Sequence, residues 1–403
     1  MGLCCMKTLK SMRLHIGIFG KTNVGKSSLL NRITSQDVSI VSEFAGTTTD
    51  VVEKSMELLP IGPVNFLDTA GINDETALAA ERIEKTMKIL NRVDIGVIVC
   101  DYTGIDEYEK SLINKFNELR IPFLILVNKT DIKQIEESVL EIIKNYSKYV
   151  LITSAKEDKD LIFKFKETLV KMLPDDFVNS PKIVGDLVKE NSTVILVIPI
   201  DKEAPKGRII LPQVQVLRDL LDNNCLSYVV KETELKRALD NLKYPPSLVV
   251  TDSQAFKHVA EIVPEDIYLT SFSILFARLK GDLDIFVKGA EAIENLKDGD
   301  RVLILESCTH HAIDDDIGRV KIPRLLQQKT GKNLLIDNIA GHDFPDISKY
   351  SLVIHCGACM TNRREILSRI IIANQKHIPI TNYGVVISYC LGILPRAVKI
   401  FGK

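Results

Sequence analysis

The sequence predicts an α/β fold in three domains, the first built on a mostly parallel sheet, and three observations carry that expectation. At Leu14 the apolar run LHIGIFG passes through a glycine loop into KTNVGKSSLLNRI, where apolar spacing changes from strand-like to helical. Further on, short apolar runs alternate with amphipathic stretches, as parallel strands joined by crossover helices require. A polar, proline-flanked stretch, PDDFVNSPKIVGD, then separates this block from two shorter ones.

Residues 1–12 read as a tail and 13–172 as the first domain, with strands at 14–20, 64–69 (VNFLDT), 94–100 (DIGVIVC), 122–128 (PFLILVN) and 149–154 (YVLITS). Helical stretches such as ALAAERIEKTMKIL lie between them, and LIFKFKETLVKML ends before Pro174, opening a linker over 173–190. The second block, 191–268, alternates TVILVIPI, SYVV and SLVVTD with the helices VQVLRDLLDN and ETELKRALDNL. It is too short for a large core of its own, so it is expected to pack against a neighbour or a second copy of itself. The third block, 269–403, opens near Tyr268 and has strands at 301–307, 333–339, 350–356 and around 379–383, again a small parallel α/β pattern.

Of the 403 residues, 45% are hydrophobic and 26% charged, an ordinary globular balance. Lys and Arg number 52 against 53 Asp and Glu, so the net charge of -1 leaves no electrostatic footprint for nucleic acid, and none is expected as a partner. No apolar run reaches 18 residues, and the opening MGLCCMKTLKSMRL has no secretory h-region, so the expectation is a cytoplasmic chain without a membrane partner. Eight cysteines in such a chain are expected as thiols, and clustered ones then point to metal.

The segment from Gly20 through Gly25, Lys26 and Ser27 fits GxxxxGK[ST] in the required strand-to-helix setting. Backbone amides of such a loop face phosphates, Lys26 bridges the β and γ groups, and the Ser27 hydroxyl ligates Mg2+. Asp68 ends a strand in DTAG, where it holds Mg2+ through water while the Gly71 amide senses a γ-phosphate. In NKTD, Asn128 ends another strand, Lys129 lies along a base, and the Asp131 carboxylate accepts guanine N1–H and N2–H₂, which adenine does not offer. Ser154, Ala155 and Lys156 complete the set with backbone donors for guanine O6. Four motifs in this order at strand ends specify GTP.

A second chemistry lies in the third block. Cys308 and His310 follow one strand, His355, Cys356 and Cys359 follow another, and 44 residues separate the two histidines. If those strands are parallel neighbours, both groups meet at the C-terminal edge of the sheet, where α/β domains bind ligands. Three thiolates and nearby histidines suit either zinc as Cys₃His or an iron–sulfur cluster with one non-cysteine ligand. Cys100, Cys225 and Cys390 sit in apolar runs and read as core thiols.

Across residues 13–172 the motifs resemble the TrmE/Era-like branch of the translation-factor GTPases. Gly46-Thr47-Thr48-Thr49-Asp50 is similar to that branch's switch I, which implies a Mg2+ ligand at Thr48, although Thr49 stands where Arg is frequent. Asn23 resembles the P-loop asparagine that helps hold K+ in this branch. Ile72 occupies the position of the water-orienting Gln of Ras-like enzymes, so hydrolysis is expected to be slow. The catalytic set implied is Lys26, Thr48, Asp68 and Gly71.

Beyond it, CxHx₄₄HCxxC is similar to the FeFe-hydrogenase maturation GTPases, the HydF family, and Pro199 to Leu217 resembles that family's dimerisation segment. The resemblance implies a GTPase domain, a dimerisation domain and a cluster domain, with a 4Fe-4S cluster on Cys308, Cys356 and Cys359. It implies a homodimer that carries the two-iron H-cluster precursor, working with radical-SAM maturases and delivering to the apo FeFe-hydrogenase. His310, His355 and Asp186 all have the chemistry of a fourth ligand, as does an exchangeable one. Readings from other classes are a TrmE-like tRNA-modification GTPase and a regulatory GTPase stapled by zinc.

Overall fold

The computed structural model describes residues 13–35, 43–44, 52–68, 86, 89–173, 181–200, 209–306, 317–342, 344–357 and 361–402. It divides into two compact units, Met1–Ser180 and Pro181–Lys403.

The first unit is a sheet in the order β2-β3-β4-β1-β5-β6-β7 among the described residues. Its centre is parallel: β1 (Leu14–Phe19), β4 (Gly62–Asp68), β5 (Ile95–Cys100), β6 (Phe123–Val127) and β7 (Val150–Ile152). Every residue of β1, β5 and β6 is buried, because a parallel strand covered on both faces must be apolar throughout. The strands β2 (Glu43–Phe44) and β3 (Val52–Leu58) add an antiparallel margin that apolar spacing does not disclose. Charged positions interrupt β3, and Glu53 pairs with Arg92 at 2.6 Å.

Among the described residues the second unit holds two four-stranded sheets. The first has the order β11-β10-β8-β9, from β8 (Thr193–Val197), β9 (Leu226–Val230), β10 (Leu248–Thr251) and β11 (Tyr268–Ser271), all parallel. The strand β11, at the place where sequence spacing opens a new block, is hydrogen bonded into this sheet instead. Its polar residues are buried for specific reasons: the Thr270 hydroxyl donates to Ala397 O at 2.8 Å, and Ser271 caps the helix Phe272–Lys280.

The other sheet is also parallel, in the order β13-β12-β14-β15, from β12 (Arg301–Glu306), β13 (Leu335–Ala340), β14 (Leu352–His355) and β15 (Ile380–Asn382). One hydrophobic core runs through both sheets, joining Ile195, Val197 and Val249 to Leu303, Leu305 and Ile354. The short middle block thus buries its apolar face against the third. Its outer strand β9 keeps Leu226, Tyr228 and Val229 exposed. Among the described residues no helix is long and apolar enough to cross a membrane.

Candidate nucleotide and metal sites

The loop between β1 and the helix Lys26–Ser35 is set by two glycines. Gly20 and Gly25 have φ of 137° and 97°, and a Cβ on them would lie 2.1 Å from Val99 O and 2.2 Å from Asn128 Nδ2. Only glycine satisfies both the dihedral and the close approach. Lys26 is buried, and its Nζ donates to Gly20 O at 2.7 Å and Lys21 O at 2.5 Å, so the ammonium lies across the loop. Burial lowers its pKa to about 8, against the opposing pull of the Asp68 and Glu109 carboxylates. Asp68 is buried at the end of β4, and Ser27 is exposed on the first helical turn. This set has what a phosphate and Mg2+ site needs: a cation within the loop, a hydroxyl at the helix start and a carboxylate at an adjacent strand end.

Asn128 joins the phosphate loop to the base loop. Its Nδ2 donates to Val24 O at 2.9 Å, and its Oδ1 accepts from Ala155 N at 2.8 Å. The Ala155 amide, expected from sequence as a donor to guanine O6, is therefore taken by Asn128. Ser154 is buried with its Oγ accepting from Lys156 N and Glu157 N at 3.3 and 3.1 Å, and Arg32 donates to Lys156 O and Asp158 O, each at 3.2 Å. Lys129 adopts a left-handed φ of 62° and Asp131 is exposed beside it. Asn23 is exposed with φ of 63°, a conformation that asparagine tolerates better than most residues. Thr48, Gly71 and Ile72 lie outside the described residues.

In the second unit β12 and β14 are parallel neighbours, with Leu305 opposite His355. Cys356 N donates to Leu305 O at 2.8 Å, so the HCxxC segment starts against the end of β12. Cys308 comes two residues after that strand's last residue, Glu306. Cys308, His310 and Cys359 themselves lie outside the described residues. Among the described residues there is no group of three or more metal-ligating side chains.

Around this edge Asn362 and Arg363 stand where the sequence puts them, just past the CxxC, and the structure adds Lys280 and Tyr383. Lys280 is buried and its Nζ donates to Thr361 O at 3.1 Å, just past Cys359. Arg363 donates to Leu279 O at 3.2 Å, and Asn362 caps the helix Arg363–Gln375. Cations and a helix N-terminus beside a thiol-rich loop suit an anionic, thiolate-bound group. At the end of β12, Tyr383 donates to Glu306 Oε1 at 3.2 Å.

Of the possible fourth ligands, His355 is fully buried, with Nδ1 on Cys356 O at 2.8 Å and Nε2 facing the guanidinium of Arg369. Asp186 has both carboxylate oxygens on Arg278, Oδ1 at 3.0 Å. Among the other described cysteines, burial pushes Cys100 up to about 12 and Cys390 up to about 11, and it raises Cys225 as well.

Comparisons with known proteins divide along the same lines. Residues 15–129 match the profile of the 50S ribosome-binding GTPases, 183–281 the hydrogen maturase F dimerization domain, and 284–400 the hydrogen maturase F tetramerization domain. GTPase Der of Wolinella succinogenes is 32% identical over 185 residues, covering 41% of this chain and 38% of that protein. The tRNA modification GTPase MnmE of Desulforamulus reducens is 34% identical over 160 residues, covering 39% of this chain and 34% of that protein. The chain thus spans well under half the length of these relatives.

Proposed function

The chain belongs to the hydrogen maturase F (HydF) family, and from that premise we propose that it is a slow GTPase serving as scaffold and carrier for the two-iron subcluster of the FeFe-hydrogenase H-cluster. A GTPase domain and domains for self-association are present in the sequence. The observation that supports the cluster half of the reading is the bond from Cys356 N to Leu305 O, which sets the start of the HCxxC segment against the end of the strand that Cys308 follows in sequence. Cys308, Cys356 and Cys359 would hold a 4Fe-4S cluster with three thiolates. A cluster held so would have an iron without a thiolate, open to an exchangeable ligand, which suits a carrier loaded by radical-SAM maturases and emptied into apo-hydrogenase.

Iron, sulfide and zinc analysis of the anaerobically purified chain is the direct test. About four irons and four sulfides per chain are expected. Stoichiometric zinc with no sulfide would instead establish a structural zinc staple.

At the nucleotide site, GTP would place its phosphates on the loop amides and Lys26 and its base between Lys129, Asp131 and the Ser154–Ala155 loop, while Ser27 and Thr48, with Asp68 through water, would hold the Mg2+ that neutralises phosphate charge. With Ile72 in place of a water-orienting side chain, turnover without an external activator is expected on the order of 10⁻³ s⁻¹ or a few decades above it. Asn23 contributes a ligand for K+, so phosphate release is faster in potassium than in sodium at equal ionic strength. Equal rates in the two salts, or an Asn23→Ala variant that keeps the potassium effect, would remove that role.

Self-association follows from β9. Among the described residues no strand pairs with its outer side, and an exposed edge carrying Leu226, Tyr228 and Val229 is a template for a second copy. Tyr228→Glu with Val229→Lys puts two charges on that edge. Light scattering of the full chain is expected to show a lower oligomer with unchanged GTP turnover, and an unaltered mass at low micromolar concentration would exclude β9 as the seam.

A further inference from the structure

Arg369 is one of the largest fully buried side chains, at 1% exposure, in a helix whose sequence around it is EILSRIIIAN. A guanidinium in such a place requires partners, since a buried charge without them is strongly disfavoured. It has three. Nη2 donates to Glu365 Oε1 at 2.6 Å one turn earlier, the ring of Phe344 lies 5.6 Å from the guanidinium carbon, and Nη1 meets His355 Nε2. Glu365 is itself buried, and its Oε2 lies 3.0 Å from Nδ1 of the half-exposed His342.

The consequence for His355 is chemical. Arginine only donates, so Nε2 of His355 accepts, and the ring proton belongs on Nδ1, which donates to Cys356 O at 2.8 Å. Both nitrogens that could bind a metal are therefore engaged, one by a fixed cation and one by the backbone of the adjacent cysteine. A metal-ligating histidine needs one nitrogen free.

We propose that Arg369, paired with Glu365, is a positioning residue of the cluster site: it withholds His355 from iron and makes that ring a brace for the Cys356 backbone. His355 is then a support in the HCxxC motif and not a ligand, and the iron without a thiolate stays available to an exchangeable ligand. The inference rests on the cluster reading above.

The test uses the full chain, reconstituted anaerobically with iron and sulfide, reduced, and examined by pulsed electron paramagnetic resonance with and without ¹⁵N-histidine. Visible absorption and iron content are measured on the same samples, so a chain that takes up no cluster sinks the cluster reading and is told apart from failure of the inference. In the wild type, His355→Gln is expected to leave the nitrogen couplings unchanged, because glutamine keeps an acceptor for Arg369 without an imidazole. In Arg369→Met/Glu365→Gln, which removes both buried charges together, His355 Nε2 is released. A directly bonded histidine nitrogen is expected to appear and to vanish again when His355→Gln is added. A wild-type histidine coupling that disappears in His355→Gln would overturn the proposal, as would a cluster-loaded double variant that acquires no such coupling. Should the double variant fail to hold the cluster, the comparison of wild type with His355→Gln still decides the matter.

Discussion

Lys26→Ala lowers GTP affinity and turnover by about 10²- to 10⁴-fold while leaving the fold and the iron content intact. The magnitude follows from two charge-assisted contacts to the β- and γ-phosphates, each contributing about 1.5–3 kcal/mol. Those contacts replace the ones that Nζ makes to Gly20 O and Lys21 O at 2.7 and 2.5 Å. Stability does not suffer in parallel. Burial holds the folded-state pKa of Lys26 near 8, below the ordinary lysine value, so the buried ammonium costs stability at pH values under about 8. That cost fades as pH rises through the folded value toward the unfolded one, and alanine removes it at every pH. Thermal melts of the variant are therefore expected at or above wild type near neutrality. The same shift predicts a pH dependence for the native protein, since GTP must find the lysine protonated: above pH 8 apparent affinity falls, approaching tenfold per pH unit. Titration of GTP binding from pH 7 to 10 checks this, and an affinity flat to pH 10 would show that Lys26 does not carry the phosphate interaction.

How far the fold was legible follows from what each strand must bury. In β1, β5 and β6, covered on both faces, unbroken apolar runs identify themselves. By contrast β3 is an amphipathic antiparallel strand whose Glu53 serves an ion pair with Arg92, and β11 is four residues whose Thr270 and Ser271 are committed to distant backbone and a helix cap. Lys54 breaks the alternation of β3, and four residues are too few for β11 to show one.

At the sites, motif residues were legible because their spacing is the chemistry. Their supports were not. Asn128 was recognised at a strand end, but its claim on the Ala155 amide is a contact across 27 residues that no motif encodes. Arg369 left one trace, an arginine in an apolar helix one turn after a glutamate, which is the pattern of a buried pair. Its meeting with His355 requires the packing of that helix on β14.

Cys356→Ser is expected to reduce bound iron and sulfide to background, abolish the visible charge-transfer absorption, and leave GTP hydrolysis nearly unchanged. The loss is larger than any substitution behind the site would produce. Outer-shell changes at metal centres cost about 10- to 100-fold in affinity, whereas this one removes one of three thiolates, leaving too few strong ligands for a four-iron cluster. Serine is no replacement, because its alkoxide is not available near neutral pH. Cys356 is also the thiol whose backbone is fixed at both sides, by its amide on Leu305 O and its carbonyl on His355, each at 2.8 Å. A serine there keeps the loop and removes only the sulfur. GTP turnover is expected to be spared because the GTPase motifs, within residues 20–156, belong to the other compact unit. Cys390→Ser is the control: its thiol is pushed up to about 11 by burial, so it offers no thiolate, and its iron content stays at the wild-type level. In a hydrogenase-activation assay Cys356→Ser is expected to be inactive. Full activation by the Cys308/Cys356/Cys359 triple serine variant would end the scaffold reading, since what remains among the described cysteines, Cys100, Cys225 and Cys390, are thiols whose surroundings keep them protonated.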